Sequence, residues 1–185
     1  VDASPAAEAA SVADIDWTRW VAGDRATLMF VRDGRRVLLI RKKRGLGAGK
    51  INAPGGRLEP GESPRECAER ELEEEVGVRA GPASWAGEHR FQFRDGYSLH
   101  VDVYEARGFD GTPVETDEAV PLWFDEDAIP FDEMWEDDRL WIPHMFAGRR
   151  FSGRYIFDDD RMVDVELDVG AEAPDRPRPI RSPVS

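Results

Sequence analysis

At 185 residues, 41% of them hydrophobic and 34% charged, the chain has room for a single core. Its net charge of -13 speaks against binding long nucleic acids, which relies on clustered Lys and Arg, but leaves open a small anionic ligand held through metal ions. No apolar run approaches the ~20 residues of a membrane crossing, residues 1–13 lack the basic start and apolar stretch of a secretory signal, and the one cysteine, Cys67, has no partner for a disulfide; a reduced, cytoplasmic setting is expected.

Residues 1–24 read as an N-terminal extension, partly disordered. Positions 1–13 are rich in Ala, Ser and Glu, and Trp17 and Trp20 then dock the segment onto a domain expected over residues 25–170. Residues 26–31 and 36–40 read as strands around an Asp33-Gly34 turn. The Gly-rich stretch 44–49 is expected to be a flexible loop. A short strand around Ile51 leads into Pro54-Gly55-Gly56, and Pro60-Gly61 marks a turn.

Ser63 is a good helix N-cap, with Pro64 at the first helical position and Glu66 three residues after the cap. The helix runs to about Val76 and stops at Gly77. Ala68, Leu72 and Val76 recur every four residues and face the core. Strands follow at 85–93 and 97–104 around Asp95-Gly96, and another at 122–124. A second helix is expected over about 136–146, then strands at 154–157 and 162–167. The tail, 171–185, is rich in Pro and Arg and is expected to be mobile. Strands mixed with two well-separated helices predict an α/β fold, a mixed β-sheet sandwiched between helices.

The chemistry concentrates on the first helix. Glu71, Glu74 and Glu75 fall at i, i+3 and i+4, so one helical face presents three carboxylates that repel one another. Hard oxygen ligands at a cleft edge suit Mg²⁺, and Glu75 is expected at that solvent-facing edge. Arg70 can hold a carboxylate through a bidentate contact, and Gly55 and Gly56 let the backbone approach metal or phosphate closely. A Glu cluster met alone is more often a solvated acidic helix.

The surrounding spacing changes that balance. Gly56, Glu62, Arg70, Glu71, Leu72, Glu74, Glu75, Gly77 and Val78 resemble the Nudix box at every position, without departure. The resemblance implies a Nudix fold and hydrolysis of a phosphoanhydride with Mg²⁺, or Mn²⁺ in its place. It makes Glu74 and Glu75 the main metal ligands, with the Gly55 carbonyl nearby. Glu71 binds metal or orients the attacking water, Arg70 braces the glutamates, and Glu62 stabilises the loop–helix geometry.

Outside the box, residues 26–169 resemble the branch of that family that hydrolyses oxidised purine nucleoside triphosphates in animals, related to the bacterial MutT enzymes. The likeness is strongest at 42–52, 111–118 and 129–141. It implies that Trp135 stacks on the base and that Asp137, Asp138 and Asn52 hydrogen-bond it. It places Lys42 near the nucleotide, Gly55 and Gly56 against it, and Glu118 as a further carboxylate beside the metal. Stacking on an aromatic face is worth roughly 1–3 kcal/mol. Two adjoining carboxyls in an apolar pocket do not both ionise readily, so one donates while the other accepts. Two positions depart from the branch, Leu46 standing for an aromatic pocket residue and Ile51 for a Trp; both are expected to alter the pocket.

Plainer readings stand beside these. Trp135 and Trp141 fit core packing, and Asp137 and Asp138 fit the charge preference of a helix start. His89, His100 and His144 are scattered and form no metal spacing. Cys67 reads as a small packing residue, and the basic stretch 41–44 fits a solvated strand end as well as a phosphate contact. The expected function is removal of oxidised purine triphosphates of the 8-oxo-dGTP or 2-oxo-dATP type, giving monophosphate and pyrophosphate and sanitising the nucleotide pool. The alternatives are another nucleoside polyphosphate (ADP-ribose, a dinucleoside polyphosphate, a pyrimidine triphosphate) or a non-catalytic nucleotide sensor, the latter opposed by intact Arg70, Glu71, Glu74 and Glu75. The expected partner is a small nucleotide, with no nucleic acid polymer and no membrane; the sequence favours a monomer without fixing the oligomeric state.

Overall fold

A two-residue turn closes the first hairpin: Gly34 takes a φ of 61°, a conformation glycine adopts without steric cost. It joins β1 (Asp24–Asp33) to β2 (Arg36–Lys42). The structure, a computed structural model, describes residues 5–170. The tail expected to be mobile, 171–185, lies outside the described residues, as do residues 1–4. After β2 come β3 (Ile51–Asn52), α1 (Pro64–Val76), β4 (Arg79–Ala80), β5 (Ala83–Phe93) and β6 (Ser98–Arg107). The chain closes with β7 (Phe109–Asp110), β8 (Ala119–Asp125), α2 (Asp138–Phe146), β9 (Phe151–Asp158) and β10 (Arg161–Val169).

The main sheet is mixed, in the order β10-β9-β5-β6-β1-β2-β3, with β8 also paired to β2. The β1–β6 and β5–β9 pairs are parallel and the others antiparallel. One face packs Met29, Val31, Leu38 and Ile40 against Ala68, Leu72 and Val76 of α1. The opposite face packs Phe30, Val37, Leu39 and Phe151 against Trp141, Ile142 and Met145 of α2. Alternation along the strands explains this division, since successive side chains point to opposite sides of a sheet. The layering is the helix–sheet–helix arrangement that the sequence predicts. A small second sheet pairs β4 with β7 beyond the end of α1, an element too short to leave a periodic signal.

One departure from regular pairing prepares the site. β1 meets β2 through only Val31 to Asp33. Nearer its start, β1 instead donates from Thr27 N to the Gly56 carbonyl (2.9 Å) and from Met29 N to the Pro54 carbonyl (2.8 Å). The segment after β3 therefore enters the fork between β1 and β2. Gly55 fits there because a Cβ would lie 1.9 Å from the Thr27 carbonyl oxygen.

The N-terminal segment corrects the expectation of disorder where it is described. Pro5–Glu8 and Val12–Asp14 form short 3₁₀ turns, the second held by a reciprocal Ser11–Asp14 capping box. The Asp164 carboxylate on β10 accepts from Ser11 Oγ (2.7 Å) and Val12 N (2.8 Å). Ala9, Val12, Ile15 and Trp17 cluster with Ile156, and Trp20 Nε1 donates to Gln92 Oε1 at 2.9 Å. The tryptophans dock the segment as expected, and burial of the interspersed apolar residues offsets the entropy of ordering it. The stretch 44–49, expected to be flexible, is folded by backbone bonds from Ala48 N to Gly45 O and from Lys50 N to Gly47 O. No helix of the described residues is long and apolar enough to cross a membrane.

Candidate active site

The helix that carries the carboxylates begins as its sequence requires. The Ser63 side chain accepts from Glu66 N, and the Glu66 carboxylate accepts from Ser63 N at 2.9 Å. Gly77 ends the helix in the left-handed conformation at φ 75°. Arg70 stands at the centre of a fork. Its Nε and Nη2 donate to the two oxygens of Glu62 at 2.7 and 3.0 Å. Its Nη1 donates to Glu71 Oε1 at 2.8 Å and Glu74 Oε2 at 3.0 Å. The guanidinium holds the Glu62 carboxyl down, to about 2. Glu62 thus positions Arg70 and does not line the cavities described below. The bidentate hold expected of Arg70 falls on Glu62, with single bonds to Glu71 and Glu74.

Glu75 corrects the expectation of a solvent-facing edge: it is only 3% exposed. The helical wheel accounts for this. At about 100° per residue, Glu75 turns roughly 40° from Glu71 toward Ala68 and Leu72, while Glu74 turns away. One Glu75 oxygen accepts from Gly55 N at 2.9 Å. Burial nevertheless pushes the Glu75 carboxyl up to about 7, against the pull of the Gly55 N–H and Lys42. Burial pushes Glu71 up as well. Gly56 is matched to that carboxylate, since a Cβ would sit 2.3 Å from the Glu71 carboxyl carbon.

The loop before β8 hangs on the end of α1, with Thr116 Oγ donating to the Glu75 carbonyl at 2.8 Å and accepting from Glu118 N at 3.2 Å. Glu118 thereby joins Glu71 and Glu75 around one pocket, whose wall also holds Lys42, Arg44, Gly45, Gly55 and Gly56. Arg44 pairs with Glu118. Glu74 lies outside this wall, its side chain 55% exposed and bonded to Arg70. Three carboxylates gathered in a glycine cradle suit a hard divalent cation that offsets their mutual repulsion and completes its shell with phosphate oxygens.

A second, more apolar cavity of about 210 Å³ opens beside the first and shares Lys42, Gly45, Gly55 and Gly56 with it. Asn52, Trp135, Asp137, Asp138 and Trp141 line it, as the resemblance implies for all but Trp141. Trp135 stands edge-on to Phe157 (5.6 Å, 84°), and a Cβ on Gly47 would be 3.0 Å from its Nε1. Trp141 is buried against Phe30 (5.5 Å, 88°), so it serves packing and cavity wall together.

Asp137 and Asp138 begin α2 yet point inward, 2% and 3% exposed, which separates them from a solvated helix start. Asp137 accepts from Trp141 Nε1 at 3.0 Å and Asp138 from Trp135 N at 3.1 Å. Burial pushes both carboxyls up, and the Asp137 charge raises Asp138 further. Of the two departures from the branch, Leu46 lines the cavity, whereas Ile51 is fully buried in the core and does not.

Several wall residues escaped the sequence reading. His89, Phe91 and Phe93 all face the cavity from alternate positions of β5. The period of two was visible in the strand at 85–93, but not which face it served. His100, expected to have no metal partners, is brought together with Glu88 and Asp102, their ligand atoms within 4.8 Å of one another. This group lies on β5 and β6, and none of its residues lines the pocket of Glu71 and Glu75. Its oxygens are already engaged: Glu88 accepts from Arg90 and bonds His100, and Asp102 accepts from Arg25 (2.9 Å) and Trp85 Nε1 (3.0 Å). It reads as an ion-pair network on the sheet surface. Cys67 is buried, and its thiol is pushed up to about 11, which suits packing and opposes a nucleophilic role.

The NUDIX domain family matches residues 23–145. The chain is 43% identical over 144 residues to the oxidized purine nucleoside triphosphate hydrolase of Danio rerio, an alignment covering 77% of this chain and 92% of that one. It is 40% identical over 138 residues to the Mus musculus protein of the same name, covering 74% and 88%. Among solved structures, the crystal structure of a Mutator MutT protein from Bacillus halodurans matches with a TM-score of 0.71 at 26% identity, over 78% of this chain and 97% of that one.

Proposed function

The chain belongs to the NUDIX family, and on that premise we propose that it is a magnesium-dependent hydrolase of oxidised purine nucleoside triphosphates, releasing a nucleoside monophosphate and pyrophosphate. The observation that carries the reading is the shared wall. The cavity with Trp135, Asp137 and Asp138 meets the carboxylate pocket at Lys42, Gly45, Gly55 and Gly56, so one nucleotide spans both.

NUDIX hydrolases use divalent metal ions. Here Glu71, Glu75 and Glu118 would hold one, Mg²⁺ in this reading with Mn²⁺ as substitute, and Glu74 would join them by exchanging its bond to Arg70. Once bound, such an ion neutralises phosphate oxygens and makes a water more acidic. Lys42 and Arg44 add positive charge for the phosphates, and the Gly55-Gly56 backbone lets them approach. Arg70 fixes the Glu71 carboxylate, which orients the attacking water. Water oxygen adds to one phosphorus of the α–β anhydride, the bridging P–O bond breaks, the water's proton passes to solvent, and monophosphate and pyrophosphate separate.

At the other end Trp135 offers a stacking face. The Asp pair, one carboxyl protonated and one ionised, offers a donor beside an acceptor. An oxidised purine exchanges a ring acceptor for an N–H donor and gains a carbonyl acceptor, a pattern such a pair can read. The test is phosphate release with and without added pyrophosphatase, across 8-oxo-dGTP, 2-oxo-dATP, dGTP, dATP, CTP, ADP-ribose and a dinucleoside polyphosphate. Pyrophosphate released from the oxidised purines ahead of the rest, and abolished by EDTA, is expected. Preference for ADP-ribose, a dinucleoside polyphosphate or CTP replaces the substrate, and binding without turnover makes the protein a sensor.

A further inference from the structure

His89 is a buried polar residue of the cavity wall that the mechanism above does not use. It is 1% exposed on β5, among apolar wall residues Phe91, Phe93 and Val101. Its ring stacks on Phe151 (5.0 Å, 17°) and lies 4.5 Å from Trp141. Nδ1 is 3.1 Å from the Tyr155 hydroxyl, while Nε2 is buried with no hydrogen-bond partner. An unmatched buried polar atom is destabilising, and Nε2 finds no partner among the described residues.

The surroundings are shaped for this pair. Gly153 lies opposite His89 in the β5–β9 register. A Cβ at Gly153 would be 2.2 Å from the Tyr155 hydroxyl oxygen, so the glycine makes room for the phenol. Burial holds the imidazole neutral, pushing it down to about 3. A neutral imidazole has one N–H and one lone pair. Tyr155 donating to Nδ1 pairs the phenol proton and places the imidazole hydrogen on Nε2.

We propose that His89, oriented by Tyr155, is a specificity-determining residue of this site: as the base enters and a small shift of the wall uncovers Nε2, its Nε2–H donates to a carbonyl oxygen or ring-nitrogen acceptor on the innermost edge of the bound base. This rests on the reading that the base occupies the cavity, and it adds a contact beyond Trp135, Asn52 and the Asp pair. The ligand class is a nucleotide whose base carries an acceptor at that edge, an oxidised purine with its added carbonyl among them.

The test compares wild type with His89→Leu and Tyr155→Phe. Leucine keeps an apolar filling and removes the donor; phenylalanine keeps the ring and releases the tautomer. His89→Leu should raise KM for the preferred oxidised purine triphosphate about tenfold or more, with kcat within about twofold, whatever the loss of the Tyr155 hydrogen bond does to Tm. Tyr155→Phe should raise KM in the same direction by less. A folded His89→Leu protein with KM within about twofold of wild type overturns the proposal and leaves His89 a packing residue.

A second measurement separates this from the substrate reading. Wild-type protein labelled with ¹⁵N at histidine is titrated with 8-oxo-dGMP. The His89 Nε2–H resonance should move as the nucleotide saturates; binding that leaves it in place overturns the proposal. If 8-oxo-dGMP does not bind and dGMP or CMP does, the substrate reading fails. The same resonance, followed with the nucleotide that binds, then decides for or against His89.

Discussion

Replacing Glu75 with Gln probes the buried carboxylate at the head of the site. Its carboxyl, ordinarily near 4.5, is pushed up to about 7 by burial. The folded value lies above the unfolded one, so the folded state binds the proton more tightly. The contribution to stability is fully present below about 4.5 and is lost as pH rises through about 7. That interval corresponds to roughly 3 kcal/mol, at about 1.4 kcal/mol for each pH unit. Glutamine keeps an acceptor for the Gly55 N–H and carries no charge, at a constant cost of about 1–3 kcal/mol for its unpaired amide.

Urea unfolding in EDTA, from pH 4.5 to 8, reads the difference. Asp137 and Asp138 are pushed up in both proteins and cancel, while Glu71 loses the repulsion of Glu75 in the variant, which acts in the same direction as the Glu75 effect. Stability of Glu75→Gln relative to wild type should therefore climb by roughly 3 kcal/mol across the range. With saturating Mg²⁺ the advantage should shrink or reverse, because the ion stabilises the wild type by binding its folded state. Turnover should fall by orders of magnitude in the variant. A relative stability flat with pH to within about 0.5 kcal/mol, with near wild-type turnover, would refute the reasoning.

Other perturbations follow from named contacts. Arg70→Lys removes the fork to Glu62 and the bonds to Glu71 and Glu74; kcat/KM should drop about ten- to a hundredfold in steady-state assays, and a value within about twofold of wild type contradicts the bracing role. Gly56→Ala places a methyl where the Glu71 carboxylate stands, so kcat should fall on the order of a hundredfold while circular dichroism keeps the native signal. Asp138→Asn should lower kcat/KM for oxidised purines about tenfold or more while the Mg²⁺ dependence of the residual turnover is retained; unchanged selectivity returns the Asp pair to a helix-start role.

Where the determinants are local, the sequence was sufficient. Ser63, Pro64, Glu66 and Gly77 delimit α1 residue for residue, because caps and stops act within one turn. The box spacing likewise brought Arg70 beside its glutamates. What depends on the far side of a contact was not legible. The wheel turns Glu75 toward Ala68 and Leu72, but its cover is completed by the segment entering the β1–β2 fork, which no helical periodicity records. The turns around Ser11 are ordered by Asp164, more than 150 residues later. His89 and Tyr155 meet only when β5 and β9 pair, so each read as unremarkable in its own strand.

One ratio tests the base cavity most directly: kcat/KM for 8-oxo-dGTP over kcat/KM for dGTP, measured on the wild-type protein with saturating Mg²⁺. One added hydrogen bond read by the buried Asp pair predicts a ratio of about ten or more. A ratio at or below one, in a protein that still hydrolyses dGTP with Mg²⁺, would contradict the reading of the base cavity while leaving the carboxylate pocket intact.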